Sequence, residues 1–465
     1  MRVAKGSHEG GNKMKYYWVI TLILFVICAS QARGSEYANL LPTQGAATCD
    51  RIKQFRVTKL TDTGQSGTLR HAIHSATQDK REHRKKSCRH ITFDIQGEIV
   101  LSSPLNIRSD FVTIDGCDAP GAGITITQNP QSPYGIIIDG TRRHTHDVLI
   151  QCLRFLGVHN QLKRHKVGEA PLSVDGDCAS TSSQCEPEWS ANDQSGGVSR
   201  IAFDRLTYGM ATDKLTFWGK VKNASITRSL FYHNPLALLI SFYNGPTDLE
   251  KTHISIRGNI FTNNNERNPQ LRGWIRQLDI RHNIIHRWDA FPPLPGTDGY
   301  PGDGYGIRIK NVFGEKSVNA NIVENIFLGD SNTSHRALIY GTQPGSDKDE
   351  GLASSCNAQA HASSTTHSAH HATSHANSHT TPPHTRSAGS QMGKLYVQGN
   401  YLPDENCDQY STIDEPLAIG DTSVKVPLRE LCDSLLLRVG TPSRTPLEDT
   451  LLQAVKNECL AAVIL

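Results

Sequence analysis

From residue 55 onward the chain runs in short apolar stretches separated by turn-forming residues. Ile91-Thr-Phe-Asp-Ile, Val112-Thr-Ile-Asp, Ile124-Thr-Ile-Thr, Ile136-Ile-Ile-Asp and Val148-Leu-Ile-Gln are examples. Short runs rich in β-branched residues predict strands, and no long 3.6-residue periodicity interrupts them. The pattern predicts a mostly β chain.

An internal repeat narrows the kind of β fold. Ile226-Thr-Arg-Ser-Leu, Ile256-Arg-Gly-Asn-Ile, Ile280-Arg-His-Asn-Ile, Ile322-Val-Glu-Asn-Ile and Val397-Gln-Gly-Asn-Tyr share one plan. Each has an apolar residue, two variable positions, Asn (Ser in the first copy) and a second apolar or aromatic residue. Asn259 and Asn283 stand 24 residues apart, which suits one coil of a solenoid. In a parallel β-helix, Asn at the same bend of successive coils stacks into an amide ladder that satisfies the polar groups buried by the stack. Such a solenoid needs capped ends.

Three segments depart from the strand pattern. Residues 159–199, with Asp175-Gly-Asp177 and the closely spaced Cys178 and Cys185, read as a long loop held by a disulfide. Residues 354–391 are Ser, Thr, Ala and seven histidines, a composition that buries no core and predicts a disordered insertion. The tail carries Leu447, Leu451, Leu452 and Val455 at helical spacing. The expected organisation is a leader (1–34), a β-helix domain (35–353), the insertion (354–391), and a last coil with a helical tail (392–465).

Composition adds limits. With 48 Lys and Arg against 45 Asp and Glu among 465 residues, net charge is only +3, so nothing points to nucleic acid as a partner. Lys13 and Lys15, an apolar run from Trp18 to Ala29, and Ser30-Gln31-Ala32 read as a secretory signal, with Met14 as an alternative start. The run is short for a membrane span, so stable membrane insertion is not expected; an uncleaved signal anchor is the alternative. Of the 11 cysteines, ten lie beyond this leader, an even number that suits disulfides in a secreted, extracellular protein. Asn223-Ala-Ser and Asn332-Thr-Ser are glycosylation sequons. A capped solenoid is expected to be a monomer.

The basic character is local. Asn263 to Trp288 holds five arginines against two acids, Glu266 and Asp279. Its first half reads as a loop, rich in Asn and Pro; its second half alternates like a strand, with Leu278 and Ile280 apolar. Such a cluster suits a polyanion. Within it, Arg267-Asn268-Pro269-Gln270-Leu271-Arg272 fits the pattern R-x-P-x-x-R. This segment resembles the catalytic segment of the pectate lyase family, which is built on a right-handed parallel β-helix. Val57-Thr-Lys-Leu-Thr-Asp-Thr-Gly-Gln-Ser-Gly-Thr-Leu-Arg-His-Ala-Ile is similar to that family's opening, a strand followed by a short helix that caps the first coil. Phe93-Asp-Ile-Gln-Gly, Ile114-Asp-Gly and Ala119-Pro-Gly-Ala-Gly-Ile follow in family order.

The resemblance implies a chemistry: cleavage of pectate (polygalacturonate) or a related acidic polysaccharide by β-elimination. The proton at C5 is α to a carboxylate. Its removal needs neutralisation of that carboxylate and a base within reach. By the resemblance Arg267 is the base and Arg272 holds the substrate carboxylate, a task that suits its planar fork; a structural partnership of Arg272 with Glu266 is the alternative. The family's cation is Ca²⁺, whose oxygen ligands would come from Asp213, Asp204 and Asp175, with Asp177 or Glu169 as further candidates. Asp204 fits equally well as a strand anchor. Two departures stand out. Pro235 occupies the place of a substrate-binding lysine, and Lys214 follows Asp213 where a sub-group has a second acid. They keep a second class of function in view, a non-catalytic binder of an anionic polysaccharide. A glycoside hydrolase on the same fold would need paired carboxylates, of which this Arg-rich segment gives no sign.

Overall fold

The chain divides into a unit Met1–Leu41 and a unit Pro42–Leu465, and every strand and helix described belongs to the second. The computed structural model describes residues 41–78, 87–130, 132, 134–157, 170–176, 196–211, 213–242, 253–273, 275–288, 304–309, 318–329, 337–340, 354–355, 394–401 and 427–464. The expected leader 1–34 lies outside them, as do Cys178, Cys185, Asp177, Glu169 and most of the His-rich insertion.

Three parallel sheets run the length of the unit, of ten, nine and eight strands. Successive coils add strands to the three sheets in turn, so every interior strand pairs with the coils before and after it. The ten-stranded sheet runs from Arg51–Val57 to Leu395–Gln398, and the eight-stranded sheet from Gly97–Leu101 to Ile326–Leu328. The nine-stranded sheet starts at Leu105–Ile107 and ends at Ser354–Ser355, which pairs antiparallel with Ile339 and Tyr340. This is the parallel β-helix expected from the repeat.

Register explains the β-branched runs. In the ten-stranded sheet Ile91, Ile114, Ile150, Phe203, Ile226, Ile256, Ile280, Ile322 and Val397 occupy one position coil after coil. All are buried in a single core cluster. Side chains alternate between the two faces of a strand, so each apolar residue in this row points inward while its neighbours point out. A stack of branched side chains fills the interior of the coil with few voids.

The bend between the ten- and eight-stranded sheets recurs with one left-handed residue per coil. Arg205, Arg228, His282 and Glu324 take φ between 48° and 57° there, and Gly258 and Gly399 take 63° and 67°. The next residue carries the ladder. Asn259 Nδ2 donates to Asn283 Oδ1 (3.0 Å), Asn283 Nδ2 to Asn325 Oδ1 (2.9 Å) and Asn325 Nδ2 to Asn400 Oδ1 (2.9 Å). Each Oδ1 also accepts the backbone N–H of the preceding coil, beginning with Ser229 N to Asn259 Oδ1 (2.9 Å). A second ladder, which the repeat did not reveal, joins Asn234 Nδ2 to Asn264 Oδ1 at 2.9 Å.

The ends and one flank are covered. The helix Leu69–Gln78 buries Leu69, Ala72 and Ile73 in the main core, the cap expected from the sequence. The tail forms two helices, Leu428–Arg438 and Pro446–Ile464, joined by the disulfide Cys432–Cys459. Leu431, Leu435, Leu452 and Val455 pack on Leu230, Ile260, Ile284 and Ile326, so the tail covers the outer face of the eight-stranded sheet. Two further disulfides, Cys49–Cys88 and Cys117–Cys152, tie early coils together.

Two expectations are corrected. The interruption read at 159–199 contains a full rung: Ala170–Gly176 is a strand paired on both sides within the nine-stranded sheet. Pro171 and the polar flanks hid its alternation, in which Leu172 and Val174 face the core. Gln270–Gly273, read as part of a loop, is also a strand, and Arg272 stands on it.

Candidate active site

Three turns stack at the leading edge of the nine-stranded sheet. They precede the strands Leu215–Gly219, Leu238–Phe242 and Gln270–Gly273, which pair in parallel. Asp213 and Lys214 close the first turn, Pro235 to Ala237 the second and Arg267 to Pro269 the third. Backbone bonds lock them together. Leu215 N donates to Ala237 O (3.0 Å), Ala237 N to Glu266 O (3.0 Å) and Leu238 N to Arg267 O (2.8 Å). On the other side Asn268 N donates to Gly306 O (3.1 Å) and Arg308 N to Pro269 O (2.9 Å). The hexapeptide is thus clamped between two coils. The buried Asn268 adds a side-chain bond from Nδ2 to Tyr305 O at 3.0 Å. Arg267 takes a left-handed φ of 65°. Its Nε is buried and has no hydrogen-bond partner among the described residues.

Register builds the rest of the face. Asp139, Asp175, Trp218, Ser241 and Arg272 follow one another, one per coil, along the nine-stranded sheet. The apolar neighbours Val174, Phe217, Ile240 and Leu271 fill the core, so this row lies on the outer face. Arg272 Nε donates to Ser241 Oγ at 2.8 Å, and its guanidinium lies over the Trp218 ring, 5.4 Å from the centroid. In the neighbouring row Arg308 is in register with Gln270 and lies 5.1 Å from the centroid of the Tyr305 ring. The Tyr305 hydroxyl donates to Gln270 Oε1 at 2.9 Å. Burial and the charge of Glu266 push this phenol up to about 12, against the opposing guanidiniums of Arg267 and Arg308.

Lys214 joins the two motif arginines. Its Nζ donates to Asp213 Oδ1 at 2.6 Å. Burial holds its pKa below the usual lysine range, Arg267 and Arg272 push in the same direction, and Asp213 opposes them. The ammonium therefore sits within the fields of both guanidiniums. Lys214 is thus ion-paired with Asp213, on a turn that stacks two coils before the turn of Arg267.

The three carboxylates expected to hold a metal are not gathered together. Asp204 ends the strand Gly197–Asp204 in the ten-stranded sheet and is buried. Its Oδ1 accepts from Arg228 Nε (2.8 Å) and Thr227 Oγ1 (2.8 Å), while Oδ2 takes Arg228 Nη2 and Arg205 Nε. Those partners make it a strand anchor, the second of the two roles open to it. Asp213 Oδ1 is bound by both the backbone N (2.8 Å) and the Nζ (2.6 Å) of Lys214. Asp175 stands one coil before Trp218. Among the described residues, the one grouping of three metal-binding side chains is Asp115, Cys117 and Cys152, and its two cysteines form a disulfide. Ca²⁺ takes about six to eight oxygens, usually with several carboxylates. Among the described residues the donors do not gather to fit it.

Sequence reasoning missed Trp218, Ser241 and Arg308, and read Lys214 only as the loss of an acid. The alternation Leu215-Thr-Phe-Trp carries a signal for Trp218, because it sets the indole on the face opposite Leu215 and Phe217.

No protein-family profile matches the sequence, and no curated protein is similar to it in sequence. Among solved structures, the chain is similar in architecture to pectate lyases. A variant of the Bacillus subtilis pectate lyase is 10% identical, with a TM-score of 0.45, covering 87% of this chain and 95% of that one. A pectate lyase from a Bacillus species, solved in complex with trigalacturonate, is 12% identical, with a TM-score of 0.45 and coverage of 86% and 96%. Pectate lyase C from Erwinia chrysanthemi, solved with Ca²⁺, is 12% identical, with a TM-score of 0.42 and coverage of 87% and 96%. The β-helix itself rests on the parallel pairing of this chain's own strands.

Proposed function

We propose that this chain is a polysaccharide lyase that cleaves a uronate polymer, polygalacturonate first, by β-elimination. The observation that carries the reading is the clamped hexapeptide. It sets Arg267, with its buried and unpartnered Nε, beside the cationic pair Arg272 and Lys214. The outer face of the nine-stranded sheet offers an extended row for a chain of sugars, and Trp218 backs the Arg272 guanidinium in that row.

In the reaction, Arg272 and Lys214 receive the carboxylate of the sugar to be cut, so that charge developing on it is stabilised. Arg267, in its neutral form, takes the C5 proton. The electron pair of the broken C–H bond forms the C4–C5 double bond, and the bond from C4 to the glycosidic oxygen breaks. The departing oxygen takes a proton from solvent water and leaves as the new end of the polymer, and the hydroxide so formed takes the C5 proton back from Arg267. No metal enters any of these steps.

Secretion is part of the same reading, supported by three disulfides among the described residues, since disulfides persist in oxidising compartments. Among the described residues no helix is long and apolar enough to cross a membrane. A binder without catalysis is the second reading, favoured by Pro235 at the place of the family's lysine.

The deciding experiment is ultraviolet absorbance of the conjugated unsaturated product from polygalacturonate, for wild type and Arg267→Ala. Product from wild type, with a loss of about a hundred- to ten-thousand-fold in the variant, supports the lyase and its base. Retained binding without product from any uronate polymer leaves the binder.

A further inference from the structure

We propose that Lys214 is the resident cation of this site: its ammonium, held by Asp213 at a turn stacked two coils before that of Arg267, takes the place of a divalent metal and receives the substrate carboxylate together with Arg272. The inference rests on the reading of this face as a uronate site and goes beyond it by naming what neutralises the substrate.

Three observations carry it. First, the Nζ of Lys214 is bonded to the carboxylate that would otherwise be the leading metal ligand, at 2.6 Å. A divalent ion could use Asp213 only by displacing an ammonium and then lying against it. Second, Asp204, the next candidate ligand, belongs to another sheet and is saturated by Arg228, Arg205 and Thr227. Third, the Lys214 side chain is 16% exposed, so the ammonium is held in place yet open to a ligand. The backbone positions it: Leu215 begins a paired strand immediately after Lys214, and Asp213 is anchored by the Tyr208 hydroxyl, which donates to its carbonyl at 2.9 Å.

The charges close without a metal. Lys214 and Arg272 bring two positive charges against the one negative charge of Asp213. One positive charge remains for one uronate carboxylate. Lysine also supplies three donors, so that Nζ can keep its bond to Asp213 while it binds the substrate. The cation missing at Pro235 is thereby replaced from the preceding coil.

The test is calorimetric binding of trigalacturonate, run with a calcium chelator and then with added Ca²⁺. The proteins are wild type, Lys214→Met and Lys214→Arg, with product absorbance measured alongside. Wild type is expected to bind and turn over equally in both media, within twofold. Lys214→Met should lose at least tenfold in affinity in both, and Lys214→Arg should recover most of that loss. Wild-type binding that disappears with chelator and returns with Ca²⁺ overturns the proposal, as does full affinity in Lys214→Met. Should Lys214→Met fail to fold, the wild-type comparison between the two media decides. Chelator-resistant, Lys214-dependent binding without product would uphold the cation and sink the lyase.

Discussion

Arg272 and Trp218 stand two coils apart in one register row, yet the guanidinium reaches back over Ser241 to within 5.4 Å of the indole centroid. Strands in a sheet are about 4.8 Å apart, so the arginine spans nearly its full length to make this contact. The stacking and the bond to Ser241 Oγ fix the fork before a substrate arrives. Arg272→Lys keeps the charge but loses the planar stacking and the bidentate geometry. It should raise KM for polygalacturonate about tenfold or more. Trp218→Ala, which frees the fork, should raise KM by a smaller factor and leave kcat within about threefold, since a cation–π contact is worth about 0.5–2 kcal/mol. Steady-state kinetics on both variants checks this, and a fall in kcat with unchanged KM would refute it.

The interior of the solenoid makes a sharper stability prediction. Asn283 Oδ1 accepts from Asn259 N and Nδ2, while its Nδ2 donates to Ile256 O (2.9 Å) and Asn325 Oδ1 (2.9 Å). It is fully buried. Asn283→Ala leaves several of these groups without partners, at about 1–3 kcal/mol each. Asn283→Leu keeps the branched shape but leaves the same groups without partners. Both should destabilise by about 3 kcal/mol or more, seen as a lower midpoint in denaturant. A substitution at the edge of the ladder, Asn400→Ala, should cost less, because Asn400 is only partly buried.

The same ladder shows what a single sequence discloses. Ser229, Asn259, Asn283, Asn325 and Asn400 repeat in matched apolar surroundings, and one hydrogen-bonded stack joins them in the structure. Two copies are too few to make a visible repeat, so the shorter stack of Asn234 and Asn264 passed unseen. Cross-coil reach is hidden for a different reason. Arg228 saturates Asp204 from 24 residues away, and the strand registers that bring them together are not written at either position. Lys214 likewise gains its meaning only when the turns of Asp213, Ala237 and Arg267 are stacked. Local alternation and repeats survive in the sequence; the partner of a charged side chain does not.

Acid should loosen the N-terminal coils. Asp147 is buried, which by itself would raise its pKa, but bonds from His146 and Arg200, the charge of Arg200 and a bond from Thr43 hold it well below the usual carboxylate range. The folded value is therefore lower than the unfolded one. Between the two, the unfolded chain binds the proton first, so stability falls as pH falls. The contribution is intact above the ordinary aspartate pKa of about 3.9 and is lost on descent through the folded value. Asp147→Asn should lose about 2 kcal/mol at neutral pH, the worth of hydrogen bonds to a charged group. The gap from wild type should narrow steadily below about pH 4. Denaturant midpoints at neutral pH and at about pH 3 test it; a gap that widens in acid would contradict the assignment.

A buried ion pair helps to hold the tail to the β-helix, and its two halves should be separable by mutation. Arg154 donates from Nε to Glu448 Oε1 (2.7 Å) and from Nη2 to Oε2 (2.9 Å), with both side chains almost wholly buried. Glu448 also closes the start of the helix Pro446–Ile464: Thr445 N donates to its Oε2 at 2.6 Å, and Glu448 N donates to Thr445 Oγ1 at 3.3 Å. Thr445-Pro446-Leu447-Glu448 is thus a capping box with proline in the first helical position. Glu448→Ala strands a buried guanidinium and removes the cap, so it should cost about 3–5 kcal/mol. Arg154→Met strands the carboxylate but leaves the cap's own bonds in place. Replacing both, Arg154→Met with Glu448→Gln, removes the unpaired charge and keeps a side chain able to cap. It should recover at least half of the loss seen in Glu448→Ala. Thermal melts of the three variants decide it. A double variant no more stable than Glu448→Ala would show that the tail is held by its leucines rather than by the ion pair.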